Sequence, residues 1–350
     1  MPTTIPFPPP PDAPAIEAAR GVLLKRISEL KKPLRRMRAR PGENPEHVHK
    51  LRVATRRLGA ALRIFEPVLD TKQRKDLARA ARRLRRAAGN ARDLDVLESM
   101  ILARLKSDAR PPGDALAVRR RIQTQRKRAY RKMVKALPGA QDDLVKAARA
   151  VQRSWKRSTV RSLPHRDATD QRCADLAHEV MFVTIAAFGA AAAADLKDFE
   201  ALHECRIATK RLRYSMEVFA NCFPSSFSEE LYSQVEELQG VLGEINDLRN
   251  LHGYLVEVDE PAARRDHESE ANESQTAGTF ADLIERELGL RTAGFLQAWP
   301  SRIAALRRGL TAAIEPPPVA ARASRHSPVH RLEMPPSNGT KKSIDGWSSR

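Results

Sequence analysis

The feature that most constrains this chain is a segment written twice. His49-Lys50-Leu51-Arg52-Val53-Ala54-Thr55-Arg56-Arg57-Leu58 returns as His203-Glu204-Cys205-Arg206-Ile207-Ala208-Thr209-Lys210-Arg211-Leu212, 154 residues later. Ala88-Gly89-Asn90-Ala91-Arg92-Asp93-Leu94 returns as Leu242-Gly243-Glu244-Ile245-Asn246-Asp247-Leu248 at the same offset. One offset for both motifs means no net insertion between them, so a whole supersecondary unit is duplicated.

The period of the repeat is helical. On a helical wheel His203, Arg206, Lys210 and Arg213 share one narrow stripe. Cys205, Ala208, Leu212, Met216 and Phe219 fall on the opposite side. His49, Arg52 and Arg56 repeat the stripe in the first copy, where Gly59 stands in place of Arg213. Aromatics at 5% and charged residues at 30% argue against a β-sandwich or barrel and for helices throughout.

Helices are expected near 15–40, 45–69, 71–106, 114–137 and 141–158, and again near 171–196, 198–222, 226–258, 276–288 and 291–314. Pro41-Gly42, Pro111-Pro112-Gly113, Leu137-Pro138-Gly139 and Phe223-Pro224 act as breaks between them. The fold class is all-α: two pseudo-symmetric, duplicated four-helix bundles, residues 15–158 and 171–314, packed into one compact helical domain. Residues 159–170 and 259–274 read as linkers. The proline-rich N-terminus 1–14 and the tail 315–350 read as disordered. Val180–Ala194 is apolar but short for a bilayer, so a buried core helix is expected rather than a membrane span. The N-terminus lacks the charged region and apolar core of a signal peptide, and three cysteines without metal-ligand spacing fit a reducing compartment. The expected location is cytoplasmic.

The net charge of +19 is unevenly spread. Residues 15–160 hold 40 Lys+Arg against 14 Asp+Glu, whereas residues 161–350 hold 22 against 28. Such a like-charged half repels itself, and a bound polyanion relieves the repulsion. The stripe holds cations only from the histidine onward, and a merely solvated face gives no reason for a histidine to recur in both copies. As a phosphate ligand the imidazole has one, since its ring N–H groups donate and protonation adds charge. Lys75, Arg79, Arg82, Arg86 and Asn90 form a second stripe on the next helix, whose counterparts in the second copy have lost their cations. Neither His49 nor His203 has a metal-ligating residue at i+3 or i+4, so a metal site is not expected. Asp93 and Asp247 are expected to orient neighbouring arginines, and Gly89 and Gly243 to permit close helix approach.

The motif H-x-x-R-[VI]-A-T-[RK]-R-L, with G-x-x-x-D-L following it in both copies, resembles the CHAD domain, the conserved histidine α-helical domain, over residues 15–314. The resemblance implies an all-helical fold with a basic central pore or groove. It also implies inorganic polyphosphate as partner, no catalysis, no cofactor, and association with polyphosphate granules and with enzymes of polyphosphate metabolism. Transferred to this sequence, the binding residues are His49, Arg52, Arg56 and Arg57, with Arg79, Arg82 and Arg86 from the following helix, and His203, Arg206, Lys210, Arg211 and Arg213. Gly59 departs from the family's arginine. The E-x-E-x-K signature of the triphosphate-tunnel domain that accompanies many members does not occur, so a stand-alone module is expected. The alternative is a nucleic-acid-binding basic helical protein. Charge permits it, but Tyr130 and Tyr214 are the nearest aromatic platforms for bases, and no nucleic-acid-binding signature is present. An enzyme ranks last, because no P-loop, H-E-x-x-H or two-metal carboxylate cluster occurs.

Overall fold

The computed structural model describes residues 8–39, 44–107, 112, 114–158, 171–263 and 279–315. The helices are α1 Ala15–Glu29, α2 Lys31–Ala39, α3 Pro45–Ile64, α4 Thr71–Ala87, α5 Gly89–Ser107, α6 Ala115–Ser158, α7 Cys173–Ala192, α8 Phe199–Phe219, α9 Tyr232–Ala263 and α10 Phe280–Ile314. Among the described residues there is no strand, only an isolated bridge between Pro14 and Arg172.

Capping residues set the starts that matter for the repeat. Asn44 accepts from the Glu46 N–H at 2.8 Å, and Asp198, its equivalent in the second copy, accepts from the Ala201 N–H at 3.1 Å. These side chains satisfy N–H groups that have no partner within the helix, which fixes the first turn of α3 and of α8. Equivalent starts put the two copies of the motif in the same rotational setting. Thr55 and Thr209, both buried, return their hydroxyls to the carbonyls of Arg52 (2.9 Å) and Cys205 (2.8 Å). The motif threonine is thereby satisfied inside the core.

Several boundaries differ from the sequence expectation. The helix expected over 15–40 breaks at Leu30, because Pro33 has no N–H to give to the Glu29 carbonyl. The helix expected over 71–106 breaks at Ala88, before Gly89. Leu137-Pro138-Gly139 does not end a helix: α6 runs through it, as α10 runs through Pro300. Leu137, Ala140, Leu144 and Ala148 are buried on either side of Pro138, and their burial outweighs a proline cost of about 3 kcal/mol. Likewise α10 crosses Gly289, where a break was expected. Residues 8–14, expected to be disordered, are held in place: the Cys173 and Ala174 N–H groups donate to the Ala13 and Pro11 carbonyls at 2.8 and 2.9 Å. Residues 1–7, the linker 159–170, residues 264–274 of the second linker and the tail from 316 lie outside the described residues, whereas 259–263 belong to α9.

In the first half α6 packs along α4 and α5, and α3 sits against α1, α2 and α4. In the second, α8 packs on α7 and α9, and α9 on α10. The halves meet through α3 and α8, α1 and α7, and α5 and α9. Phe65 and Phe219, fully buried at the ends of α3 and α8, stack edge to face at 5.9 Å. The apolar run of α7 is only half a core element. Met181, Ile185 and Phe188 are buried, while Phe182 and Val183 are 68% and 66% exposed. Length and composition would allow α7 to cross a membrane, although part of it is buried in the fold.

Candidate anion-binding site

The site is built where α3 and α8 meet. Leu51, Ala54, Leu58 and Leu62 bury one face of α3, and Leu202, Cys205, Ala208 and Leu212 bury the matching face of α8. The stripes on the other faces remain half-buried: His49, Arg52 and Arg56 on α3, and His203, Arg206 and Lys210 on α8. Arg56 is the member common to both halves. It lies in the electrostatic field of His49, Arg52 and Arg85 on one side and of Arg206 and Lys210 on the other.

Each stripe has a carboxylate behind it. Arg52 Nη2 pairs with Asp93 Oδ1 at 3.2 Å, and Asp247, at the equivalent position, is the acidic neighbour of Arg206. Asp93 therefore orients an arginine, as expected, while Asp247 acts on Arg206 through its charge. The expected role of Gly89 changes: a Cβ there would lie 3.1 Å from Arg52 Nη1, so its bare Cα makes room for the guanidinium. Gly243 has nothing within 4 Å of a Cβ position, so no close approach requires it.

Cations outnumber these carboxylates, and the titration behaviour reflects it. Burial, then Arg206 and Arg56, hold the Lys210 ammonium down at about 7, with Asp247 opposing. Burial and then Arg92 lower the His49 imidazole against the pull of Glu46. Burial lowers Arg52 and Arg206 as well, and it raises the Asp247 carboxyl despite Asn246, Arg206, Arg92 and Lys210. Such a cluster stores unfavourable charge that an anion would relieve.

Not every predicted residue joins the cluster. Arg82 and Arg86 are exposed on α4 as charge neighbours of Arg85. Arg79 pairs with Asp76 at 3.0 Å in a cleft shared with Asp143 and Lys146 of α6. Arg211 is exposed and lies in a groove with Arg63, Glu66 and Glu179. Arg57 and Arg213 turn to Glu217, a carboxylate 2% exposed. Glu217 draws Arg57 to 3.3 Å, Arg213 to 3.4 Å and Arg26 to 3.6 Å, and it accepts from the Tyr232 hydroxyl at 3.2 Å. Arg213 also donates to Glu236 at 3.0 Å and Gln239 at 2.8 Å. These two arginines tie helices together, and Arg213 also adds to the field that lowers Lys210.

Sequence reasoning missed Arg63, Arg85 and Arg92. Arg63 extends the α3 stripe, since 49, 52, 56, 59 and 63 are spaced 3, 4, 3 and 4. Arg85 faces Arg56 from α4, and Arg92, inside the second motif, acts on both His49 and Asp247. Asp93 and Asp247 also line a polar cleft of about 900 Å³ with Asn90, Arg121, Arg249 and Tyr254, between α5, α6 and α9. Tyr130 and Tyr214, the aromatics nearest the basic stripes, are 7% and 6% exposed; Tyr130 donates its hydroxyl to Asp95 at 2.8 Å. Among the described residues no three His, Cys, Asp or Glu side chains gather as a metal site would require.

Comparison with known proteins agrees with the helical architecture. A crystal structure of the CHAD domain from the plant Ricinus communis superposes with a TM-score of 0.62 at 23% identity, covering 87% of this chain and 94% of that one. A comparison with curated proteins gives no match. The sequence model of the CHAD domain matches residues 21–256, narrower than the 15–314 expected from the motifs. That match spans well over half of the chain, and the chain belongs to the CHAD domain family.

Proposed function

We propose that this protein binds inorganic polyphosphate without catalysis, along the basic surface that α3, α4 and α8 share. The observation that carries the reading is the position of Arg56, where cations from both halves converge on a surface whose chief balancing carboxylates are Asp93 and Asp247. Polyphosphate is an uninterrupted chain of phosphates, so recognition calls for cations at short intervals and for nothing that reads bases. Guanidinium forks match phosphate oxygens, and each charge-assisted contact gains from partial burial. Binding releases counterions, so affinity falls steeply with salt; the slopes measured for nucleic acids apply here in direction only.

The burial of Tyr130 and Tyr214 supports this reading over single-stranded nucleic acid, which relies on exposed aromatic faces. The same reading assigns the protein to the cytoplasm and to polyphosphate granules, with enzymes of polyphosphate metabolism as further partners. Labelled long-chain polyphosphate is titrated into the protein, and the complex is challenged with tRNA, DNA or triphosphate. The reading predicts that polyphosphate resists displacement at equal phosphate concentration. Ready displacement by tRNA would refute it, and shortening of the chain over time would show an enzyme.

A further inference from the structure

Away from the basic surface, two thiols face each other. Cys173 opens α7 and Cys222 ends the short 3₁₀ turn, Ala220–Cys222, that follows α8. Their Sγ atoms lie 3.9 Å apart, and both cysteines are free. We propose that Cys173 and Cys222 form a two-electron oxidation site that closes to a disulfide with hydroperoxides or low-molecular-weight disulfides, clamping the N-terminal segment Pro8–Pro14 to the fold.

Three observations carry it. The sulfurs are already in contact at 3.9 Å and need to approach to about 2.05 Å for a bond. The pair is asymmetric: Cys173 is fully buried, while Cys222 is half-buried and gives a small oxidant access. The third observation is what the cysteines hold. The Cys173 N–H donates to the Ala13 carbonyl at 2.8 Å, and Asn221, next to Cys222, donates its Nδ2 to the Pro8 carbonyl at 3.2 Å. Two of the segment's anchor points thus sit beside the two sulfurs.

With hydrogen peroxide the O–O bond and both S–H bonds break, the Sγ–Sγ bond forms, and two waters leave; the thiols are oxidised and the peroxide reduced. With a small disulfide, the thiolate of the half-buried Cys222 displaces one thiol and Cys173 then displaces the second, each cysteine giving its proton to a departing thiol. The loop closed spans Cys173 to Cys222 and includes all of α7 and α8.

The test uses the full chain, treated with hydrogen peroxide or oxidised glutathione, alkylated and mapped unreduced by mass spectrometry. A Cys173–Cys222 cross-linked peptide should dominate, and titratable thiols should fall from three to one, the buried Cys205 remaining. Tm should rise by about 3–6 °C over the reduced protein, and hydrogen exchange should slow at the Cys173 and Ala174 amides. Cys222→Ser should lose the Tm rise while the untreated variant melts as the untreated parent does. A product dominated by intermolecular disulfide, mixed disulfide or sulfinic acid would overturn the proposal. So would a cross-link that leaves Tm or amide exchange unchanged.

Discussion

Phe65 and Phe219 occupy equivalent positions of the repeat, and their rings meet edge to face at 5.9 Å in the core. Residues at equivalent positions can touch only where the two copies face each other. This contact therefore sets α3 against α8 and brings the two cationic stripes onto one surface. Edge-to-face pairs of this kind add about 0.5–1.5 kcal/mol beyond the area they bury. The proposed binding surface thus depends on a packing contact that carries no charge itself.

The glycines of the second motif should separate in their effects. A methyl at Gly89 would push the Arg52 guanidinium by a few tenths of an ångström, while a methyl at Gly243 meets nothing. Gly89→Ala should weaken polyphosphate binding about threefold with little change in Tm. Gly243→Ala should leave binding unchanged and gain about 0.5–1 kcal/mol, the usual helix benefit over glycine. Fluorescence titration and thermal melts of the two variants check this.

Binding should be linked to proton uptake. Lys210 is held at about 7 and His49 below its ordinary value, and a bound polyanion favours the charged form of both. Affinity should be highest near pH 6 and fall by about tenfold toward pH 9, as the free protein loses those protons. Lys210→Arg, which stays charged, should flatten most of the slope in titrations at fixed ionic strength. An unchanged slope would place the linkage elsewhere.

The same lysine should cost stability in the unliganded protein. Its folded pKa, about 7, lies below the unfolded value of about 10.4, so between these limits the unfolded chain binds more protons. Stability from this group is lowest below pH 7 and recovers as pH rises through that window. Lys210→Met should raise stability by about 1–3 kcal/mol at pH 6.5, allowing for partial exposure, with the gain shrinking toward pH 10. Urea melts at the two pH values measure it.

Glu217 should behave as a structural ion. Glu217→Gln leaves Arg26, Arg57 and Arg213 without their shared carboxylate and should cost about 3–5 kcal/mol. Polyphosphate affinity below the new Tm should stay within about twofold of the parent. A large loss of affinity with unchanged Tm would move Arg57 and Arg213 back into the binding surface.

The stripes His49, Arg52, Arg56 and His203, Arg206, Lys210 were legible because local rules determine them. A capped start and a 3.6-residue period put the motif on one face, and tertiary structure kept it there. Arg57 and Arg213 were not, because a helical wheel gives direction without depth. Their partner Glu217 lies at the far end of α8, and Arg26, which completes the group, comes from α1, near the start of the chain. Pro138 misled for the opposite reason: a strong local break signal was overridden by buried neighbours that the sequence does not locate. Arg63 could have been found by extending the stripe beyond Gly59, but the facing of Arg85 toward Arg56 depends on how α3 and α4 pack.

The most direct test of the account compares Arg56→Glu with Arg79→Glu. Both invert one cation in the basic half, so the change in net charge is the same. Arg56 lies where the two halves converge, while Arg79 is engaged with Asp76 beside α6. Polyphosphate Kd measured at physiological salt should rise at least tenfold for Arg56→Glu and less than threefold for Arg79→Glu, a difference of about 0.7 kcal/mol or more. Equal losses in the two variants would contradict a built site and leave only diffuse attraction to a basic surface.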